Sequence, residues 1–584
     1  MENPWDFLNH YRNGNSSVVD LRHTWPTLSE LLTITVDRQG ERRAFTSFDP
    51  EELTLTYNEV LHYVKTAAGY LLKKGIARGD RVAVTGKNAP EWAVAYLAAL
   101  YAGGVVVPID NQLNLKDKLG LARRAGARIV FADEEAYDGF AEDAEDRISL
   151  TRQKDNYIFD LQAEPAPLPE QREDDLAAIL FTSGTTGVAK GVMLSHKNIT
   201  ADALLAQNNL GIYPTDVFYA LLPLHHSYTM LAVFIEAISV GAEIVFAKRM
   251  AVQEILKDLK RGKVTMLLSI PLLFNKLLKG IMSGIRQKGI LVYGLMRGLM
   301  GISGFIKKLT GRNPGKKIFH SVLEKASLAT IRICISGGGP LPEFTFRRFN
   351  QLGIDFVQGY GLTETSPIVA LNPVEHYKEA SVGKVLPQTE MIILDPDERG
   401  VGEIAVKGPM IMQGYFENEE ATRESFTEDG YLRTGDMGYL DRENYLYLTG
   451  RQKNLIVTAG GKNVYPEEIE NAFELFDEVD QIMVKGYISD ERLREESVEA
   501  YIYPDLDFFG QDVVDDDAKW QEVEDRVRGV VSQVNQQSLM PYQRIQRVTV
   551  LKAPMEMTTT KKIKRHKVTG EGGDESVSGA AGES

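Results

Sequence analysis

The sequence predicts an α/β protein in two parts: a large N-terminal domain of mostly parallel sheets flanked by helices, then a small α+β C-terminal domain. Three observations predict it. From Arg81 onward short apolar runs alternate with helical periods. At 584 residues the chain exceeds what one hydrophobic core ordinarily holds. Near Gly450 the texture changes to a short hairpin pattern followed by a helix that opens at Pro466.

Taken in order, "RVAVTG" reads as a strand, "APEWAVAYLAALYAGG" as a helix stopped by glycines, and "VVVPID" and "ARIVFADE" as two more strands. The pattern resumes at "LAAILFTSG", "DVFYALLPL", "AEIVFAK", "VTMLLSIP" and "IRICISGGG". Continuous apolar runs separated by helices mark parallel strands covered on both faces, so chemistry is expected on the loops after strand ends. The domains are placed at 1–450 and 451–565. The acid-rich stretch from Asp505 to Asp525 reads as a solvated loop leading into a helix, and the Gly/Ser/acid-rich tail 566–584 as disordered.

Composition removes several classes of function. A hydrophobic share of 43% with 25% charged residues is that of a folded globular protein. The net charge of -15 argues against nucleic acid as a partner. Cys334 is the sole cysteine, which excludes an intramolecular disulfide and a thiolate zinc cluster. The first residues, "MENPWDFLNHYRNGNSS", lack a basic segment followed by an apolar run, and no uninterrupted apolar run of about 18 residues occurs. A reducing, cytoplasmic location without an ordinary spanning helix is the expectation.

The stretch Phe181–His196, "FTSGTTGVAKGVMLSH", combines glycines, small hydroxyls and a lysine, which suits a cradle for phosphate. It is not a P-loop. Lys190 follows Ala189 and precedes Gly191, so the glycine and the metal-binding hydroxyl are both missing from the places a P-loop needs them. Taken alone, the stretch also has the composition of a polar surface loop.

Seven motifs in order carry a resemblance: "LFTSGTTGVAKGVMLSH", "LPLHHSYT", "ISGGGPLP", "VQGYGLTETSP", "YLRTGDMGYLD", "GRQKNLIVTAGGKNVYPEEIE" and "TTTKKIKR". From about Thr27 to Arg565 the chain resembles the adenylate-forming acyl-CoA synthetases, within them most of all the long-chain fatty acid ligases. The resemblance implies an acid–thiol ligase with ATP and coenzyme A as co-substrates, Mg²⁺ as cofactor, and a mobile small domain. A carboxylate attacks the α-phosphate of ATP to release pyrophosphate; the thiol of coenzyme A then attacks the acyl-adenylate.

The same resemblance implies roles for particular residues. Thr182, Ser183, Gly184, Thr185, Thr186, Gly187 and Lys190 would hold the phosphates, with Thr185 and Glu364 at Mg²⁺. Gly337, Gly338 and Gly339 would form one side of an adenine slot and Tyr360, beside Gly361, the other. Thr363 would meet the α-phosphate, Asp436 the ribose, and Arg451 the ribose and phosphate. Lys453 falls at the family's hinge, and Gly460 and Gly461 in its pantetheine channel. Lys562 would bridge the acyl carboxylate and the α-phosphate, although Lys561 stands where a glycine or leucine is common and leaves the register between the two lysines open. His226 matches the residue beside the acyl carboxylate. Side by side on an extended segment, His225 and His226 would point to opposite faces and could not chelate one ion, so both read as pocket lining.

Two rivals remain besides the long-chain reading: a ligase for aryl or shorter acids, and a binding protein without turnover. The presence of Glu364, Arg451 and Lys562 speaks against the second; a kinase is weaker still, since the P-loop test fails. Charge counting adds one more feature. Between Pro271 and His320 there are ten basic residues and no Asp or Glu, around the apolar, glycine-rich "GILVYGLMRGLMGISGFIKKL". The stretch 279–317 reads either as a peripheral contact with anionic membrane or as a buried helix pair with its lysines in water.

Overall fold

The computed structural model describes residues 5–14, 16–182, 189–339, 341–458, 462–473, 476–490, 495–557 and 563–568. The chain divides into two compact units, Met1–Thr434 with Tyr439–Leu448, and Gly435–Gly438 with Thr449–Ser584. Ser183, Gly184, Thr185, Thr186, Gly187, Gly460, Gly461, Lys561, Lys562 and the tail from 569 lie outside the described residues.

The first unit is built on two large sheets. In one, of seven strands among the described residues, Arg81–Thr85 lies between Val105–Ile109 and Ala127–Ala132, and Leu176–Thr182 and Asp146–Ser149 extend the sheet on either side. These pairings are parallel. Lys190–Ser195 folds back antiparallel on Leu176–Thr182, with Thr182 opposite Lys190, and Gly414–Tyr415 closes that edge. The second sheet, of thirteen described strands, contains the parallel series Arg43–Ser47, Glu243–Phe246, Val217–Ala220, Met266–Ser269, Ile333–Ser336 and Asp355–Gly361. Each apolar run read from the sequence as a strand is one.

The helix Pro90–Tyr101 shows why the layers form. Proline occupies its first turn, where a missing N–H costs nothing, and Gly103 at φ 81° takes the chain out after its end. Apart from Glu91 every residue of it is buried, and it packs on strands of both sheets. A helix apolar all round belongs to a core. Trp92 stacks on Tyr96 at 5.4 Å, and the Phe234 ring meets both edge-on.

The second unit stacks the helix Asp517–Gln537 on a three-stranded sheet of Val479–Asp490, Glu495–Pro504 and Arg547–Val550. Trp520, Val523, Val527, Val531 and Val534 bury against Val484, Val498, Ala500 and Ile502. The acid-rich stretch departs from the expected loop: Asp516 caps the helix by accepting the N–H groups of Ala518 and Lys519 at 3.0 and 3.2 Å, so the acids that follow form its first turns. Close to the last described residues, Arg565 donates to both oxygens of the partly buried Glu470 at 2.7 and 2.6 Å and to Val484 O at 2.7 Å. This fork ties the segment after Lys562 to the second unit's own sheet.

A second departure concerns Ile290–Thr310. It is a continuous 21-residue helix, long and apolar enough to cross a membrane by length and composition. Its glycines and Arg297, which interrupt the apolar run in the sequence, do not interrupt the helix.

Two acids are sealed inside the first unit. Glu236 Oε2 accepts from Gln207 Nε2 at 2.9 Å, and Asp202 Oδ2 accepts from Ile368 N at 2.8 Å. Burial pushes the Glu236 carboxyl up to about 8 and raises that of Asp202 well above the carboxylate range. A raised pKa makes the folded state the better proton binder. The contribution of Glu236 to stability is therefore full below its ordinary value of 4.5, falls as pH rises, and is gone above about 8. Relative to wild type, Glu236→Gln is expected to gain thermal stability steadily from pH 5 to pH 8, by up to about 1.4 kcal/mol per pH unit. Denaturation scans of both proteins across that range give the comparison, and a Tm difference that does not change with pH refutes the assignment.

Candidate active site

The parallel strands of the second sheet end on one edge, and the loops leaving them carry three of the motifs. Asn88, on the loop after Arg81–Thr85, reaches across from the other sheet. Its Nδ2 donates to Ala220 O and Leu222 O at 2.9 and 2.8 Å, and its Oδ1 accepts from Leu224 N at 3.0 Å. So held, the chain turns at residues 224–226, where His226 N donates to Pro223 O at 3.2 Å.

The turn corrects the extended geometry expected for the two histidines. Their rings lie on the same side, with centroids 4.1 Å apart. His225 is buried with Nε2 3.5 Å from Asp110 Oδ1, and one ligand atom from each of Asp110, His225 and His226 lies within 4.8 Å of the others. The argument that they could not face one point therefore does not hold.

The next residues bind this loop to the other two. Ser227 Oγ and Thr363 Oγ1 are 3.1 Å apart, and Tyr228 donates its hydroxyl to Ile335 O at 3.1 Å. The ring of Tyr228 lies 3.0 Å from where a Cβ on Gly337 would stand. Gly338 has φ +78°, and the glycine run leaves the backbone bare next to Ile270 and Pro271. Tyr360, in the strand Asp355–Gly361, is buried to 9% exposure. Gly361 has a packing reason of its own, since a Cβ there would sit 1.5 Å from Pro367 O.

After Gly361 the loop is locked by its own side chains. Thr365 Oγ1 accepts from Leu362 N at 2.9 Å and donates to Pro367 O at 2.6 Å, while Ser366 Oγ donates to Met410 O at 2.8 Å. Glu364 sits on this frame, its carbonyl accepting from Met412 N at 2.9 Å. Its Oε1 accepts from the Tyr415 hydroxyl at 2.8 Å, and the Tyr415 ring lies 4.7 Å from Lys190 Nζ. Burial and the neighbouring Glu364 charge keep the Tyr415 phenol well above its ordinary pKa, so it stays a donor.

Lys190 and Thr182 face each other at the base of residues 183–188, with Thr182 Oγ1 donating to Lys190 O at 3.3 Å. The structure therefore brings Thr182, Lys190, Thr363 and Glu364 to one end of the first unit. In the second unit, Arg451 Nε donates to Asp436 Oδ1 at 2.9 Å, and Lys453 is exposed on the turn Gln452–Asn454. Among the described residues Tyr415 is the one partner of the Glu364 carboxylate, which is half-buried. One fixed carboxylate with an oxygen to spare fits Mg²⁺, an ion that keeps most of its waters and takes one or two protein carboxylates.

Sequence reasoning missed Asn88, Asp110, Ser227, Tyr228 and Tyr415. Ser227 and Tyr228 lie inside a recognised motif. Tyr415 belongs to none, and only the pairing of Tyr415 with Val192 places it beside Lys190.

A hydroxyl- and glycine-lined edge of parallel strands with an adjacent lysine and carboxylate defines a protein that handles a phosphorylated ligand. The chain belongs to the AMP-binding enzyme family, whose model matches residues 32–416. It is 28% identical to a long-chain-fatty-acid–CoA ligase of Bacillus subtilis, over 86% of this chain and 89% of that one. It is 28% identical to the long-chain-fatty-acid–CoA ligase ACSBG1 of Rattus norvegicus, over 77% and 67%. Among solved structures it superposes on ATP-bound MatB from Rhodopseudomonas palustris with TM-score 0.72 and 26% identity, covering 93% of this chain and 98% of that one. It superposes on o-succinylbenzoate CoA synthetase of Bacillus subtilis in complex with its acyl-adenylate with TM-score 0.73 and 25% identity, again over 93% and 98%. Its class is that of the acid–CoA ligases.

The Tyr415 hydroxyl gives a prediction. A hydrogen bond to a charged group contributes about 1.5–3 kcal/mol, and partial exposure of Glu364 puts this one at the low end. Tyr415→Phe, which keeps the ring, is expected to weaken MgATP binding about tenfold with Tm nearly unchanged. Tyr415→Leu, which also removes the ring from Lys190, should weaken it further. Calorimetric titration of the three proteins gives the order, and equal affinities would exclude Tyr415 from the site.

Proposed function

We propose that this chain activates a fatty acid, long-chain in preference to short, to its acyl-adenylate with release of pyrophosphate, and then transfers the acyl group to coenzyme A with release of AMP. The observation that carries the reading is the convergence of Lys190, Tyr415 and Glu364, at 4.7 and 2.8 Å, beside the two strands that flank residues 183–188. A cation and a carboxylate set about one tyrosine suit a phosphate chain and its counter-ion better than they suit a closed core.

In this mechanism Thr182, Ser183, Gly184, Thr185, Thr186, Gly187 and Lys190 hold the β- and γ-phosphates. Glu364 and Thr185 hold Mg²⁺, which offsets phosphate charge as pyrophosphate leaves. Thr363, braced by Ser227 at 3.1 Å, donates toward the α-phosphate. Gly337, Gly338, Gly339, Tyr360 and Gly361 bound the adenine slot, and Asp436 and Arg451 take the ribose. His226 stands beside the acyl carboxylate. Behind it the run Met230–Ile235 is apolar and buried, an environment that suits a hydrocarbon chain better than a charged one. Lys562 offsets the charge that builds as carboxylate oxygen approaches phosphorus. Lys453 serves as hinge, and Gly460 and Gly461 admit pantetheine. Cytoplasmic location with reversible contact at an anionic membrane through 279–317 completes the reading.

Preference for a long chain is supported by the Bacillus subtilis ligase, which matches over most of both chains. The o-succinylbenzoate synthetase superposes as completely, so an aryl acid is the competing substrate. AMP release measured with acetate, benzoate, o-succinylbenzoate and palmitate, each with and without coenzyme A, separates the two. The highest kcat/KM is expected with palmitate, and an aryl acid leading the series would overturn the substrate assignment.

Two variants test the division of labour. Lys562→Ala is expected to lower acid-dependent pyrophosphate exchange by about a hundredfold or more while leaving the reaction of supplied acyl-adenylate with coenzyme A near wild type. A larger loss from Lys561→Ala would move the role by one residue. Gly461→Leu is expected to do the reverse, keeping pyrophosphate exchange and blocking thioester formation; full-rate thioester synthesis by that variant would displace Gly461 from the channel.

A further inference from the structure

The helix Ile290–Thr310 has two apolar faces, and one of them is uncovered. Its inner face is fixed to the first unit. Met300 and Ser303 are fully buried, Tyr293 and Met296 pack on the core, and Lys307 is 5% exposed with Nζ donating to Asp355 Oδ1 at 2.7 Å and to Asn350 Oδ1. The buried Lys307 departs from the reading of a buried pair with its lysines in water. Lys307 is thereby removed from the charges available at the surface, and so is Lys316, which donates inward to Ile331 O at 2.8 Å.

The outer face carries Leu291 (86% exposed), Leu295 (65%), Ile302 (55%), Phe305 (67%) and Leu309 (74%). With Gly298 they repeat at intervals of four, three, four, three and four, which at about 100° per residue keeps them within about 40° of one line along the helix. Large apolar side chains so exposed and so aligned are a surface made to be covered. Arg286, Lys288, Arg297, Lys308, Arg312 and Lys317 around the stripe and at both of its ends are exposed.

We propose that this stripe is the face by which the protein lies on a bilayer containing anionic phospholipid. The spacing alone would equally suit pairing with the same helix of a second copy. Charge decides between them: no Asp or Glu occurs between Pro271 and His320, so a second copy would set cations against cations, whereas anionic headgroups neutralise them. The stripe contains no polar side chain to fix a particular protein partner. The Lys307 anchor holds the helix against the fold, so it lies in the interface and does not span. A helix of this length presents an edge of about 30 Å to the headgroup region. The inference does not depend on which acid is activated, although a lipid-soluble acid would be concentrated where the helix docks.

The full-length protein is mixed with vesicles of phosphatidylcholine alone or with phosphatidylglycerol, at low and high salt, without substrates. Binding is expected to the mixed vesicles at low salt and to be reversed by high salt. One variant combines Leu291→Ser, Leu295→Ser, Phe305→Ser and Leu309→Ser; a second combines Arg286→Gln, Lys288→Gln, Lys308→Gln and Arg312→Gln. All eight positions are exposed, so Tm is expected to be unchanged, and each variant should lose about tenfold or more in vesicle affinity. ATP-dependent activation of a water-soluble acid should continue in both. Absence of wild-type binding at low salt, or unaltered binding by both variants, overturns the proposal. So does a dimer in sedimentation that the serine variant dissociates, which would give the stripe to a second copy. Because binding is read without turnover, failure of the ligase reading would leave this result standing, and the converse holds.

Discussion

Asn88 is the side chain on which the geometry of the site depends. It stands on a loop of one sheet and spends both amide hydrogens and its carbonyl on the backbone of the other, at Ala220, Leu222 and Leu224. The strand Val217–Ala220 ends just there, and buried backbone must find partners: Ala220 O also accepts from Ala247 N at 3.2 Å, whereas Leu222 O and Leu224 N are met by Asn88. Supplying those partners from across the layer stops the strand and turns the chain, which puts both histidine rings on one side. It also aims Ser227 at Thr363 and Tyr228 at Ile335 and Gly337. Three loops distant in sequence thereby share one set of hydrogen bonds.

The loop after Gly361 applies the same logic without help from the other sheet. No side chain fits at Gly361 because Pro367 O occupies the space, and Thr365 satisfies Leu362 and Pro367 within the turn. Glu364 can therefore be held by its backbone and by one tyrosine, with no cation among the described residues committed to its carboxylate. A carboxylate already paired with lysine or arginine would have little affinity left for a metal. The lysine is near, but it faces the tyrosine ring.

Much of the fold was legible because continuous apolar runs of strand length have few other uses. Pro90, Gly103 and the runs at Val105 and Ile333 state local preferences that the structure then satisfies. The motif residues were legible as a group by their order along the chain. What escaped depends on pairings between remote segments. Tyr415 reaches Lys190 through a two-residue strand that no local pattern marks. The histidine pair was misjudged because their turn is imposed by Asn88, more than 130 residues earlier. The start of the helix at Asp517 was hidden for a different reason: an acid-rich stretch has the composition of a loop, and only the cap at Asp516 shows that the acids serve a helix N-terminus.

The helix Ile290–Thr310 marks the limit of counting charges along a chain. Ten cations without an acid in one stretch is a true statement about composition, yet Asp355, beyond its end, reaches back to hold Lys307. The surface charge is smaller than the sequence count and differently placed. Periodicity meets a similar limit, since apolar residues at both 293, 296, 300 and 291, 295, 302 make the helix look apolar all round, the mark of a core helix. Burial separates the two sets. The inner set fills the fold around Met300, and the outer set is exposed, uncovered by the described residues of the first unit to which the helix belongs. A core helix and a docking helix thus have the same sequence signature, and what tells them apart is how many of their faces the rest of the fold covers.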